Sequence, residues 1–273
     1  VTPLKMEVLR QVAEQRYLTT RQVAAVMGSS AVAVRHHLRD LQQWRLLRRV
    51  PVHGAAVGSA ALLSDDLHLA TAEGIKTLRR AGLVGREVTA GEPASVAFLA
   101  HELEVRDFLG WLCGSARANP GHAVERWSCV RPPCLFGTVP DAVFHYRFRP
   151  GETASTVAAL LEADRGTEHG AAGGRTDRWA SKLAAYATAF REEGRAALRA
   201  ATDAPVARVV AVAPDVARAE WIVRRAADTA AAPFVWAAAK TELAGSDASA
   251  PVWLRPDGSR QPFVPPAAAG KGT

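Results

Sequence analysis

Four side chains in the middle of the chain have the types and spacing for phosphate chemistry: Asp141, Glu162, Asp164 and Lys182. Glu162 and Asp164 close the segment 156–164, where Val157, Ala159, Leu161 and Ala163 alternate with Ala158, Leu160, Glu162 and Asp164. That alternation predicts a strand, and residues two apart on a strand share a face. An earlier strand over 139–148 and the turn Arg149-Pro150-Gly151-Glu152 predict a hairpin. Folding it near residue 152 makes facing positions sum to about 304, which sets Asp141 opposite residue 163, between the other two carboxylates. Three carboxylates this close repel. Sharing one or two divalent cations relieves the repulsion, and oxygen ligands suit Mg²⁺ or Mn²⁺, which can activate water for phosphodiester hydrolysis. The competing reading is a solvated acidic hairpin end with Arg165 as its ion-pair partner. Lys182 then either stabilises negative charge developing on a phosphate or simply neutralises the cluster.

These residues need elements to hold them. Past the Gly-rich stretch His169–Gly174, Trp179, Leu183, Tyr186 and Phe190 recur with helical spacing, which predicts a buried stripe with Lys182 on its border. Upstream, Gly91-Glu92-Pro93 reads as a linker, followed by a helix from about Ser95 to Leu112 that carries His101, Glu102, Glu104, Arg106 and Asp107, and by a strand over Val124–Cys129. Downstream come a strand at Val206–Ala213, a helix at Asp215–Ala230 after Pro214, and a strand at Phe234–Ala238. Pro251–Arg255 with Asp257-Gly258 suggests a last hairpin or extended arm, and the Ala/Gly/Pro-rich tail from Pro265 reads as frayed.

The first third has another character. Residues 1–85 hold 12 Lys/Arg against 6 Asp/Glu, whereas residues 86–273 hold 22 against 21, so nearly all of the net +7 lies at one end. A localised basic segment is the footprint of a polyanion partner. Leu4, Val8, Leu9 and Val12 predict a first helix, Thr19-Thr20 cap a second over Arg21–Met27, and Gly28-Ser29-Ser30 turn into a third from Ala31 to Trp44. Val32, Val34, Leu38, Leu41 and Trp44 are expected to face inward on that third helix. Two short helices about a Gly-containing turn predict a helix-turn-helix. Leu46–Val50 then reads as a strand, His53–Ser59 as a wing, Ala60–Leu63 as the returning segment and Ala72–Ala81 as a helix ended by Gly82. The expected DNA-facing set is Arg21, Ser29, Ser30, Arg35, His36, His37, Arg39, Arg48, Arg49 and His53.

Other classes are excluded or disfavoured. Apolar residues make up 48% and charged residues 22% of the chain, a globular balance. No uninterrupted apolar run has membrane-helix length and no signal peptide opens the sequence, so no membrane partner is expected. Three cysteines, Cys113, Cys129 and Cys134, lack paired spacing and suggest a reduced, cytoplasmic protein. There is no nucleotide-binding Gly loop and no Ser/His/Asp arrangement. Neither Tyr146 nor Tyr186 has the histidine cluster that accompanies a tyrosine nucleophile in DNA relaxases.

The segments LTTRQVAAVMGSSAVAVRHHLRDLQ, HLATAEGIKTL, AHELEVRDFL, PDAVF and LLEADRGTE followed by KLAAYA resemble the plasmid replication-relaxation family of Gram-positive and actinobacterial mobile elements. The resemblance implies an α/β protein (α+β overall) with a winged helix-turn-helix over 1–90, a PD-(D/E)xK nuclease-like domain with a mixed central sheet over 91–264, and a flexible tail over 265–273. Under it, Asp141 matches the PD aspartate and Glu162 the acidic residue of the following strand. Asp164 stands where an active nuclease of that type has Lys, with Lys182 as the migrated substitute, and Trp127 is followed by Ser128 and Cys129 where members often carry Glu. Three functions follow as expectations: a DNA-binding protein of a mobile element acting in replication or DNA relaxation, a divalent-metal-dependent endonuclease or nickase, or a winged-helix repressor with a dimerisation domain. The expected partners are double-stranded DNA, a second copy of the chain or other replication and transfer proteins.

Overall fold

The computed structural model describes residues 1–51, 66–92, 96–130, 132–149, 153–166, 178–204 and 207–265. The chain divides into two compact units, Val1–Gly114 and Ser115–Thr273.

In the first unit, α1 (Pro3–Glu14) leads through β1 (Tyr17–Thr19) into α2 (Thr20–Met27) and α3 (Ala31–Gln43), then β2 (Leu47–Val50), β3 (Leu67–Ala70), α4 (Ala72–Arg80) and most of α5 (Val96–Ala118), whose last residues belong to the second unit. Caps set these limits. Thr19 Oγ1 accepts from Gln22 N at 3.2 Å while the Gln22 side chain accepts from Thr19 N, a capping box that starts α2. Gly28 ends it at φ 64°, a left-handed conformation that glycine adopts without strain, and Ser30 Oγ then caps α3 by accepting from Ala33 N. Val8, Leu9, Val12, Val23, Leu38 and Leu41 form the core of these helices. The strands pair in the order β1-β3-β2, antiparallel throughout, with Tyr17 facing Leu69 and Arg48 facing Leu69 on its other side.

Several expectations change here. Val32 is 62% exposed rather than inward, because it lies two residues, or about 200° of helical turn, from Val34 in the buried row Val34, Leu38, Leu41. Trp44 is also exposed: it is the residue that caps the end of α3, with the Lys5 ammonium 4.9 Å from its ring centroid. The strand that returns along β2 is Leu67–Ala70; the expected wing, His53 included, and the segment 60–63 lie outside the described residues. The sequence puts a division at residue 90, whereas the compact unit runs on to Gly114. The first part of α5 explains this, since Leu99, Ala100 and Leu103 pack with Tyr17, Leu67 and Leu69, and the buried Arg106 donates twice to Gln15 O.

The second unit is built on a sheet of β4 (Ala123–Ser128), β5 (Ala142–Phe148), β6 (Ser155–Ala163), β7 (Ala207–Ala213), β8 (Val235–Ala239), β9 (Trp253–Leu254) and β10 (Arg260–Gln261). Its seven strands lie in the order β10-β9-β8-β7-β6-β5-β4. The pairs β6–β7 and β7–β8 are parallel and the others antiparallel, so the sheet is mixed as expected. Helices α6 (Arg178–Phe190) and α7 (Arg195–Thr202) connect β6 to β7, α8 (Val216–Ala227) connects β7 to β8, and the short α9 (Lys240–Leu243) follows β8. Trp179, Leu183, Tyr186 and Phe190 form the predicted buried stripe of α6 and join Ile222 and Val223 of α8 against Leu160, Val209 and Ala237. Each such side chain contributes about 1.5–3 kcal/mol by leaving water. Residues 192–202 fold as a 3-10 turn and α7, an element the alanine-rich sequence did not announce.

Candidate functional site

In the second unit, β6 carries the chemistry-bearing residues to its C-terminal end. The hairpin of β5 and β6 pairs Ala142 with Leu161, so facing positions sum to 303, one less than expected. Asp141 therefore sits level with Glu162, donating its own N–H to Leu161 O at 2.8 Å and accepting from Ala163 N at 2.7 Å through Oδ2. Glu162 is 1% exposed. The Tyr186 hydroxyl donates to its Oε1, and the Lys182 ammonium lies 2.9 Å from its Oε2. Lys182 and Tyr186 are four residues apart on α6, one turn, so both reach the same carboxylate.

Asp164 points to the same face and is answered separately. It bonds Gly166 N at 2.7 Å through Oδ1, and Trp179 Nε1 at 3.2 Å and Arg218 Nε at 2.6 Å through Oδ2. Gly166 holds φ +71°, which a side chain would strain. Arg218 stands in the first turn of α8, after its N-cap Asp215, with its guanidinium 4.1 Å from the Trp221 ring centroid. At this acidic end Asp164 is paired with Arg218, a partner that the sequence did not point to.

Electrostatics follow from burial. Glu162 has its carboxyl raised from 4.5 to about 7, chiefly by desolvation and further by Asp141, against the pull of Lys182 and the Tyr186 hydrogen bond. The Tyr186 hydroxyl is pushed well above its ordinary value by its own burial and by the charge on Glu162, so it is a proton donor, not an ionised nucleophile.

The three proposed ligands therefore already have protein donors. Among the described residues no group of three His, Cys, Asp or Glu side chains is placed to hold a metal ion. Asp164 gives its oxygens to Arg218, Trp179 and Gly166, Glu162 to Tyr186 and Lys182, and Asp141 to Ala163 N–H. A Mg²⁺ or Mn²⁺ ion bound here would compete with Lys182 for Glu162 and with Arg218 for Asp164. Sequence reasoning found Glu162 and Lys182 as neighbours and missed two partners. Tyr186 was legible only as a core residue, although the K-x-x-x-Y spacing placed it beside Lys182. Arg218, fifty-four residues from Asp164, had no local signal.

The expected DNA-facing residues of the first unit separate into two sets. Arg21 pairs with Asp107 at 3.1 Å, Arg48 with Glu92 at 2.6 Å, and Arg49 with Asp66. Ser29, Ser30, Arg35, His36 and Arg39 are exposed at the start and along the outer face of α3, with His37 half-buried between them. Among the described residues Arg35 and Arg39 have no ion pair. One acid, Asp40, stands on that helix, and it is held by Lys5 of α1 at 2.8 Å. His53 lies outside the described residues.

A family model described as replication-relaxation matches residues 9–204, which covers most of the first unit and the second as far as the end of α7. The chain matches none of the curated proteins and none of the solved structures with which it was compared. No helix among the described residues is long and apolar enough to cross a membrane.

Proposed function

The chain belongs to the replication-relaxation family, and from that premise we propose that it is a DNA-binding protein acting in the replication or relaxation of a plasmid or other mobile element. In this reading the first unit is a winged helix-turn-helix that docks α3 on duplex DNA, and the second is a PD-(D/E)xK nuclease-like domain that contributes contacts rather than cleavage. The observation that carries it is the division among the arginines. Arg35 and Arg39 stay exposed and unpaired on α3, beside the Ser29 and Ser30 hydroxyls at its N-terminus, while Arg21, Arg48 and Arg49 are already matched by carboxylates. A cation without a protein partner can release counterions from phosphate at no cost in broken ion pairs. Titrating labelled plasmid duplex with the protein at several salt concentrations tests this. Binding should weaken steeply with salt, and Arg35→Ala with Arg39→Ala should flatten that slope; binding unaltered by the double substitution sinks the α3 reading.

A second reading, a metal-dependent endonuclease or nickase using Asp141, Glu162, Asp164 and Lys182, is favoured by the Glu162–Lys182 contact alone. It requires Asp164 to give up Arg218, or Asp141 and Glu162 to bind a cation without it. Incubation with supercoiled plasmid and Mg²⁺ or Mn²⁺ decides between the two readings. Nicking that disappears in Asp141→Ala and Glu162→Ala establishes the enzyme, and intact supercoils at every metal concentration remove it.

A further inference from the structure

The segment just before Asp141 contains a turn with an unfavourable backbone position at Phe136. Leu135 and Thr138 exchange both backbone hydrogen bonds, Leu135 N–H to Thr138 O at 2.7 Å and Thr138 N–H to Leu135 O at 2.9 Å. The two residues between them, Phe136 and Gly137, have φ of +50° and +86°. This is the two-residue turn whose central positions are both left-handed, a geometry that selects Asn, Asp or Gly at its first central position. A phenylalanine there is an outlier, since a bulky side chain crowds its own backbone at positive φ.

The ring makes no aromatic or cation–π contact among the described residues and keeps about half of its surface in water. Phe136 is 47% exposed, and a Cβ built on Gly137 would meet nothing within 4 Å, so the tip stands clear. The base of the turn is anchored: Leu135 is buried in the cluster that contains Trp179, Leu183 and Tyr186, the α6 wall that carries Lys182, and Thr138 is buried as well. Val139, 50% exposed, follows at once, and among the described residues of this unit it and Phe136 are the exposed large apolar side chains. A strained, solvated aromatic on a firmly seated turn, five residues from Asp141, persists at a cost unless something covers it.

We propose that Phe136, on the turn that leads into Asp141, is a stacking platform for an unpaired DNA base. The proposal rests on the DNA-binding reading above and adds a ligand class to the second unit. A base fits better than a protein surface for a reason of size. A stable protein interface buries about 800 Å² on each partner, far more than two side chains of one turn offer, whereas one ring suffices to stack one base of any sequence.

Anisotropy titrations of the full-length chain into labelled oligothymidylate and into labelled duplex test the idea. Phe136→Gly and Phe136→Asn, both suited to the turn, should keep or raise the thermal midpoint while weakening single-strand binding about tenfold. Phe136→Tyr should restore the single-strand affinity, and duplex affinity should not change in any of the three. Single-strand binding as tight in Phe136→Gly as in the original chain overturns the proposal. A chain that binds duplex but not oligothymidylate also overturns it and leaves the α3 reading intact, whereas a chain that binds neither removes both. A dimer that dissociates on Phe136→Gly, with DNA affinity unchanged, overturns it in favour of a second copy as the occupant.

Discussion

The outer face of α3 and the buried end of β6 both hold charges, but under opposite rules. On α3, Arg35 and Arg39 face water with no acid beside them, and the nearby Asp40 is taken by Lys5. At the end of β6 nearly every oxygen is met: Glu162 by Lys182 and Tyr186, Asp164 by Arg218, Trp179 and Gly166. An exposed, unanswered cation costs the fold little and remains available to an external anion. A buried carboxylate can be tolerated only when it is answered, and once answered it has little left to offer a ligand. The first region is therefore an open cationic face, and the second first of all a network of internal ion pairs and hydrogen bonds inside the unit.

That contrast can be broken by substitution. The largest expected effect is on stability: Asp164→Ala removes the buried acid that meets the half-buried Arg218 guanidinium, Trp179 Nε1 and Gly166 N–H, and should cost about 3 kcal/mol, read from urea unfolding. A loss below about 1 kcal/mol would mean that the end of β6 is not the tight network described. Next comes Arg35→Ala with Arg39→Ala, which should reduce the slope of log affinity against log salt by about 2 and leave the thermal midpoint unchanged. A midpoint that drops several degrees would place those arginines in the fold instead of on the binding surface.

A smaller effect concerns pH. Glu162 holds its proton more tightly folded than unfolded, its carboxyl raised from 4.5 to about 7. Its contribution to stability is therefore fully present below 4.5 and lost as pH rises through 7, the reverse of an ordinary ion-paired carboxylate. Melts from acid to neutral pH should show a decline in the original chain that Glu162→Gln flattens; equal slopes in the two proteins would mean that Glu162 enters the fold already ionised beside Lys182. The smallest effect belongs to Arg21→Ala. Its exposed pair with Asp107 should be worth less than about 1 kcal/mol, and duplex affinity should change less than twofold in the same salt titration.

What the sequence made legible follows from range. The α6 stripe and the position of Lys182 beside it were readable because helical spacing is a local property, visible in Trp179, Leu183, Tyr186 and Phe190 alone. The β5–β6 hairpin was readable to within one residue, since its connection is short but its turn has no dipeptide that fixes the register. Partners from distant segments were not readable. Asp107 beside Arg21, Glu92 beside Arg48 and Arg218 beside Asp164 depend on how α5, the chain after α4, and α8 return, and no local pattern encodes that. Val32 was misassigned for a different reason: hydrophobicity alone cannot separate the edge of a buried row from the face opposite it.

The position of β6 between an antiparallel and a parallel neighbour sets an order of assembly. Its pairing with β5 joins residues such as Phe148 and Ser155 across a short loop, whereas its pairing with β7 joins Ala158 to Ala207 across two helices. Closing the short loop is fast and closing the long one slow, so the hairpin forms early and the parallel seam late. Asp164 gains its bonds to Val212 O, through its N–H, and to Arg218, through its side chain, only in the late event. In kinetic terms that clasp is a lock closed after the climb: losing it should quicken unfolding and leave the refolding rate almost untouched.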